Sequence, residues 1–108
     1  MNYSIIPTHK FEKEIKRLIK KFPSLKKEYA GLIAKLKSNP TSGIPLGNNC
    51  YKIRLAIASK NKGKSGGARV ITYLLAENIV VYLLTIYDKS ELDSVSDKEL
   101  ITIISELK

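Results

Sequence analysis

Two arginines, Arg54 and Arg69, bracket a segment of lysines and glycines, and Tyr87 and Lys89 close the apolar stretch that follows. From Lys52 to Arg69 the chain holds six positive charges and no acid. A guanidinium offers phosphate a planar, two-pronged donor that an ammonium lacks, and these are two of only three arginines beside sixteen lysines. Lys60, Lys62 and Lys64 recur at alternate positions, with Lys52 upstream. Gly63, Gly66 and Gly67 let a backbone approach closely. Such a basic loop between two strands suits a polyanion backbone, and RNA is the polyanion it favours. A tyrosine can stack on a base or donate a proton, and a lysine can steady developing charge. Each residue also has a plainer reading. The lysines can merely solubilise a hairpin loop, Arg54 and Arg69 can pair with Asp88 or Glu91, and Tyr87 can pack.

Other chemistries are excluded by what is missing. Gly63, Lys64 and Ser65 look like the end of a nucleotide-phosphate loop, but Ala58 stands where that motif needs glycine. A strand pattern follows them, with no helix N-terminus to receive phosphate. His9 is the single histidine and lies outside the basic region, so two-histidine ribonuclease chemistry is excluded. No Cys/His/carboxylate cluster has metal-ligand spacing, and no carboxylate interrupts the basic region, which argues against a two-metal nuclease. No metal and no cofactor is expected. The lone Cys50 reads as a small buried apolar residue.

The elements that must position these residues follow from periodicity. Asn2 to Pro7 reads as a short strand. Phe11, Ile15, Leu18, Ile19 and Phe22 recur at helical spacing, giving a helix over about 10–21 with Thr8 as N-cap. After Pro23 a second helix, about 24–38, carries Leu25, Tyr29, Leu32, Ile33 and Leu36 on one stripe; the short connection predicts an antiparallel helical hairpin. Asn39 to Asn49 is rich in Pro, Gly and Asn and reads as a loop. Tyr51 to Ala58 alternates, with Lys52 and Arg54 opposite Tyr51, Ile53, Leu55 and Ile57. Strands at about 68–75 and 79–87 follow, the last apolar on both faces as a central strand should be. Ser96 and Glu99 form a capping box for a final helix with Leu100, Ile101, Ile104 and Leu107 inward.

The expected order is β-α-α-β-β-β-α, an α+β fold in which a helical hairpin packs on a small, mainly antiparallel sheet. At 108 residues the whole chain, 1–108, is expected to be one domain. The net charge of +9 is segregated. Residues 10–37 hold ten Lys/Arg against three acids, whereas residues 88–106 hold six acids against two lysines. Such blocks favour an anionic partner, and the acidic end suits a neighbouring protein. The helical lysines can equally be a solvated face. No apolar run approaches the ~20 residues that span a bilayer, and the N-terminus has no signal-peptide pattern, so a cytoplasmic protein is expected.

The element order, the Arg54 strand, the run from Gly63 to Arg69 (Gly-Lys-Ser-Gly-Gly-Ala-Arg) and the closing Tyr87-Asp88-Lys89-Ser90 resemble the RelE/ParE superfamily of type II toxin–antitoxin toxins, in particular its HigB-like branch. The resemblance covers nearly the whole chain in topology, and its sharper motifs lie between Arg54 and Ser90. It implies a toxin that enters the ribosomal A site and cleaves mRNA without a metal. It also implies a cognate antitoxin, often with a helix-turn-helix domain, through which alone operator DNA is reached. By that resemblance Arg54 and Arg69 would hold the phosphate and Lys89 would steady charge or move protons. Tyr87 would orient a base or the 2′-OH, and Lys52, Lys60, Lys62 and Lys64 would grip the RNA backbone. Two other readings stand beside it: a ParE-like inhibitor of DNA gyrase, and a non-enzymatic RNA- or ribosome-binding module.

Overall fold

The computed structural model describes residues 2–60, 66–92 and 94–107, with the side chain of Lys60 left out. β1 (Ser4–Pro7) leads into α1 (His9–Lys21) and α2 (Leu25–Ser38). Four strands follow, β2 (Ile44–Gly47), β3 (Cys50–Leu55), β4 (Ala68–Leu75) and β5 (Val80–Asp88), and α3 (Asp97–Ser105) closes the chain. All five strands form one sheet in the order β1-β5-β4-β3-β2. β1 runs parallel to β5 and every other pairing is antiparallel, so β3, β4 and β5 form the expected meander.

Helical periodicity translates directly into packing. Thr8 Oγ1 accepts from the Phe11 N–H at 3.1 Å and caps α1. Phe11, Ile15 and Leu18 of α1 and Leu25, Leu32 and Leu36 of α2 are buried on one sheet face against Ile53, Val70, Leu83 and Ile86. On the opposite face Cys50, Ile71, Leu84 and Tyr87 meet Leu100 of α3. The Ser96 Oγ accepts from the Glu99 N–H at 3.2 Å, as the capping box requires. Cys50 is buried, and desolvation pushes its thiol up to about 11. No described helix is long and apolar enough to cross a membrane.

Three expectations are corrected. The segment from Asn39 to Asn49 is not all loop, because β2 lies inside it. Pro45 and two glycines hide an edge strand, where a missing N–H costs no ladder bond. Asn48 (φ 53°) and Asn49 (φ 62°) are both left-handed, the conformation of a type I′ hairpin turn. The strand expected over 51–58 stops at Leu55, and Ala58–Lys60 form a 3₁₀ turn. Finally, Ile101 points outward, 55% exposed, and Ile103 takes part in the packing instead.

Candidate active site

Register does most of the positioning. Arg54 of β3 stands opposite Arg69 of β4, and Arg69 stands opposite Tyr87 of β5. The three residues therefore form one row across adjacent strands. Strand neighbours lie ~4.8 Å apart and residues abreast share a sheet face, here the one that carries α3. The Lys89 N–H donates to the Gly67 carbonyl at 3.1 Å, which extends the ladder two positions past Tyr87 and keeps Lys89 in phase with it. Lys52, paired with Ile71, lies on the same face one alternation before Arg54.

The four members of the site differ in access. Arg54 is exposed and Lys89 half-buried, whereas Arg69 and Tyr87 are each only 5% exposed. Arg69 Nη1 donates to the Ala68 carbonyl at 3.2 Å, so its guanidinium is held down on the sheet. Tyr87 packs in the cluster with Ile71, Leu84 and Leu100, so its plainer reading as a packing residue holds at least in part. Glu91, one of the acids that sequence offered as a partner for the arginines, is instead engaged by Arg17 at 3.2 Å and Lys21 at 3.9 Å.

The strand end is shaped by a residue that the sequence reading had only as a charge partner. Asp88 is buried, its Oδ1 accepts from the Ser90 N–H at 3.0 Å, and its carbonyl accepts from the N–H groups of Glu91 (2.9 Å) and Leu92 (3.1 Å). This Asx-type turn bends the chain directly after Lys89. An Asp two residues before a Ser at a strand end was the available signal. Gly67 has a separate duty. A Cβ there would meet the Leu55 carbonyl oxygen at 2.2 Å, so β3 and the start of β4 approach too closely for any side chain.

The basic segment is clasped at its entry. Ser24 and Ser59 exchange bonds, the Ser24 N–H donating to Ser59 Oγ at 3.0 Å and the Ser59 N–H to Ser24 Oγ at 2.9 Å. Glu28 Oε2 accepts from the Ala58 N–H at 2.7 Å. No sequence signal marked this clasp, since its partners are 30 and 35 residues apart and of common types. Lys60 closes the 3₁₀ turn; the expected contacts from Lys62 and Lys64, with Gly63, lie outside the described residues.

A cavity of about 630 Å³ lies elsewhere, between β1, the start of α1 and α3, and includes none of the row. Of the row only Arg54 is exposed; it and the half-buried Lys89 offer access to an extended polymer, with Arg69 and Tyr87 beneath the surface.

A five-stranded mixed sheet with two helices between its parallel edge strand and the meander is the RelE-like fold. Among solved structures the chain is similar to the E. coli toxin RelE, studied as a double mutant in the free state, with TM-score 0.65 and 14% identity over 100% of each chain. It is also similar to the toxin in the intact E. coli RelBE toxin-antitoxin complex, with TM-score 0.62 and 18% identity over 80% of this chain and 95% of that one. The RelE mutant bound to an antitoxin RelBc peptide gives TM-score 0.62 and 19% identity over 90% and 98%. No family model matches the chain. At these identities the likeness establishes the α+β fold expected from sequence.

Proposed function

We propose that the chain is the toxin of a type II toxin–antitoxin pair and acts as a ribosome-dependent mRNA endonuclease of the HigB-like kind. The observation that carries this reading is the row Arg54–Arg69–Tyr87 on one sheet face, with Lys89 in phase two positions beyond. In the reaction the 2′-oxygen attacks the adjacent phosphorus and the P–O5′ bond breaks. One fragment ends in a 2′,3′-cyclic phosphate and the other begins with a 5′-hydroxyl. One proton must leave the 2′-oxygen and another must reach the 5′-oxygen, while the phosphorane carries extra negative charge. Arg54, exposed, contacts the phosphate oxygens, and Arg69 supplies a fixed positive field beneath them. Lys89 steadies the leaving oxygen and delivers its proton, and Tyr87 fixes the floor on which the base or 2′-OH is oriented. Lys52, Lys60, Lys62 and Lys64 grip the RNA backbone. Two accessible cations, Arg54 and Lys89, cannot by themselves hold a single strand in line for attack, so the ribosome supplies the positioning.

The partners follow from the same reading. A cognate antitoxin binds and neutralises the chain, a reading supported by the likeness to E. coli RelE in complex with its antitoxin and with an antitoxin RelBc peptide. Its helix-turn-helix domain connects the pair to operator DNA, and the site of action is the cytoplasm.

The test is brief induction in a bacterial host with mapping of mRNA 5′-hydroxyl ends. Arg54→Ala is the informative variant because Arg54 is exposed and its loss leaves the core untouched. New cuts inside translated frames, absent in the variant and absent when translation is blocked, support the reading. DNA-damage signals with intact mRNA would replace it with a ParE-like gyrase inhibitor. RNA binding without cuts would replace it with a binding module.

A further inference from the structure

We propose that the cavity beside the β2–β3 hairpin is a base-reading subsite for single-stranded RNA, with Asn48 and Asn49 as its specificity-determining residues. The inference rests on the function proposed above and adds a contact away from the reacting phosphate. The cavity holds about 280 Å³ and is lined by Asn48, Asn49, Tyr73, Ile101 and Ile104. That is just under the ~300–1,000 Å³ of clefts for drug-sized ligands, and it suits one flat ring. Tyr73 is the floor, half-buried, its ring stacked on Tyr82 with centroids 6.4 Å apart and planes 24° apart. Ile101, 55% exposed, and Ile104 form the wall on the α3 side.

Register ties the cavity to the row. Cys50, Lys52 and Arg54 of β3 stand opposite Tyr73, Ile71 and Arg69 of β4. At ~3.3 Å per residue, Tyr73 lies ~13 Å along β4 from Arg69. Ile71 lies between them, buried in the cluster that holds Leu100 of α3, so a strand of RNA cannot cross there. It can follow β3 instead, where Arg54 is exposed and Lys52 half-buried. Residues 39–76 contain no Asp or Glu, so the β3 side of this path carries no charge that repels phosphate. Asp97, exposed one turn before Ile101, disfavours phosphate on the α3 side. The backbone is thereby left to Lys52 and a base is turned towards the cavity.

The two asparagines supply the reading. Both are exposed, and both have left-handed backbones. Among the described residues they bond through the backbone alone: Cys50 Sγ donates to the Asn48 carbonyl at 3.6 Å, and the Leu74 N–H donates to the Asn49 carbonyl at 2.9 Å. The plainer duty of an asparagine here is to tolerate the left-handed turn. Glycine performs that duty without an amide. The amide adds an adjacent donor and acceptor, the pattern that reads the edge of an unstacked base.

The test measures binding of the full chain to short single-stranded oligoribonucleotides, each position varied through all four bases. Cut-site profiles on translating ribosomes are taken in parallel. Asn48→Gly/Asn49→Gly keeps the turn and removes both amides. Asn48→Asp and Asn49→Asp, made singly, keep the side-chain shape and replace the donor with an acceptor. Circular dichroism confirms that each variant folds. In the parent one position is expected to favour its best base about tenfold over its worst, and the double glycine variant should reduce that to within about twofold. Asn48→Asp or Asn49→Asp should move the preference to guanine, whose edge alone offers two adjacent donors. Tyr73→Leu should weaken binding about fivefold or more whichever base is present. A parent without base preference, a double glycine variant with the parent's preference, or Asp variants that weaken every base equally would each overturn the inference. Preference lost in the double glycine variant, with no mRNA cuts from any protein, would leave the subsite standing and defeat the endonuclease. Cuts with the same sequence profile in the parent and the double glycine variant would do the reverse.

Discussion

Glu14 is expected to hold the register on which the site depends. β1 ends at Pro7, so β5 has no strand partner on that side beyond Leu83. Residues at the start of α1 patch the open edge. Thr8 donates its N–H to the Leu83 carbonyl at 3.0 Å and its hydroxyl to the Leu84 carbonyl at 3.1 Å. Glu14 Oε1 then accepts from Thr85 Oγ1 at 2.8 Å and from the Ile86 N–H at 3.2 Å. A bulge lies at this point, since Thr72 pairs with Leu83 but Ile71 pairs with Thr85. Had the earlier register continued, Ile86 rather than Tyr87 would stand opposite Arg69, and Tyr87 would face the helices. Glu14→Ala leaves two donors without an acceptor, both on residues at most 3% exposed. Each such loss costs about 1–3 kcal/mol when buried. The Glu14 side chain is 23% exposed, so water can enter and the lower half of that range applies, about 2–4 kcal/mol in total. Its surface pair with Lys10 adds at most about 0.5 kcal/mol. In urea the midpoint should fall by about 1–2 M, with the Ile86 amide losing protection from hydrogen exchange. Glu14→Gln keeps a carbonyl acceptor and should stay within about 1 kcal/mol of the parent. A Glu14→Ala variant within about 0.5 kcal/mol of the parent, or a glutamine as damaging as the alanine, would refute the reasoning.

The other predictions concern the site and the core. Arg54→Ala should unfold within about 0.5 kcal/mol of the parent, yet lose about 10²–10³-fold in cleavage on programmed ribosomes; parallel loss of stability and cleavage would mean that Arg54 acts through the fold. Gly67→Ala must displace β3 from β4, because the Leu55 carbonyl oxygen lies 2.2 Å from the new Cβ, and thermal unfolding should register a loss of about 2 kcal/mol or more. A melting temperature equal to the parent's would show that the close approach is dispensable. The Cys50 thiol, raised from 9.0 to about 11 by burial, stays neutral in the folded chain while the unfolded chain ionises. Stability should therefore be unaffected by this group below pH 9 and fall from pH 9 towards 11, and Cys50→Ala should remove that part of the pH dependence. Iodoacetamide should label Cys50 at pH 8 only after denaturant is added; rapid labelling of the native chain would contradict its burial.

Helices, meander and charge blocks were legible in this sequence because each leaves a local mark. A 3.6-residue stripe, a capping Thr8 or Ser96, or six cations without an acid can be read without knowing what lies across the fold. β2 was not legible, because Pro45 and the flanking glycines suppress strand propensity and the edge needs little of it; the pair Asn48-Asn49 was the overlooked mark. The site was half legible. Residue types singled out Arg54, Arg69, Tyr87 and Lys89, and the Arg54–Arg69 pairing was within reach of a hairpin count. The third member of the row was not, because the bulge between Leu83 and Thr85 shifts β5 by one residue. That bulge is stabilised from α1, through a glutamate that looked like one more charge on a basic helix. Burial was equally hidden, since an arginine at 5% exposure and one in open solvent look alike in sequence. On the proposed function the difference would change their work: an exposed Arg54 would follow a moving phosphate, whereas a restrained Arg69 would offer a field that needs no reorganisation during the reaction. Arg69→Lys should therefore cost more than Arg54→Lys, because a lysine at the restrained position cannot reproduce the planar donor set that the sheet holds in place.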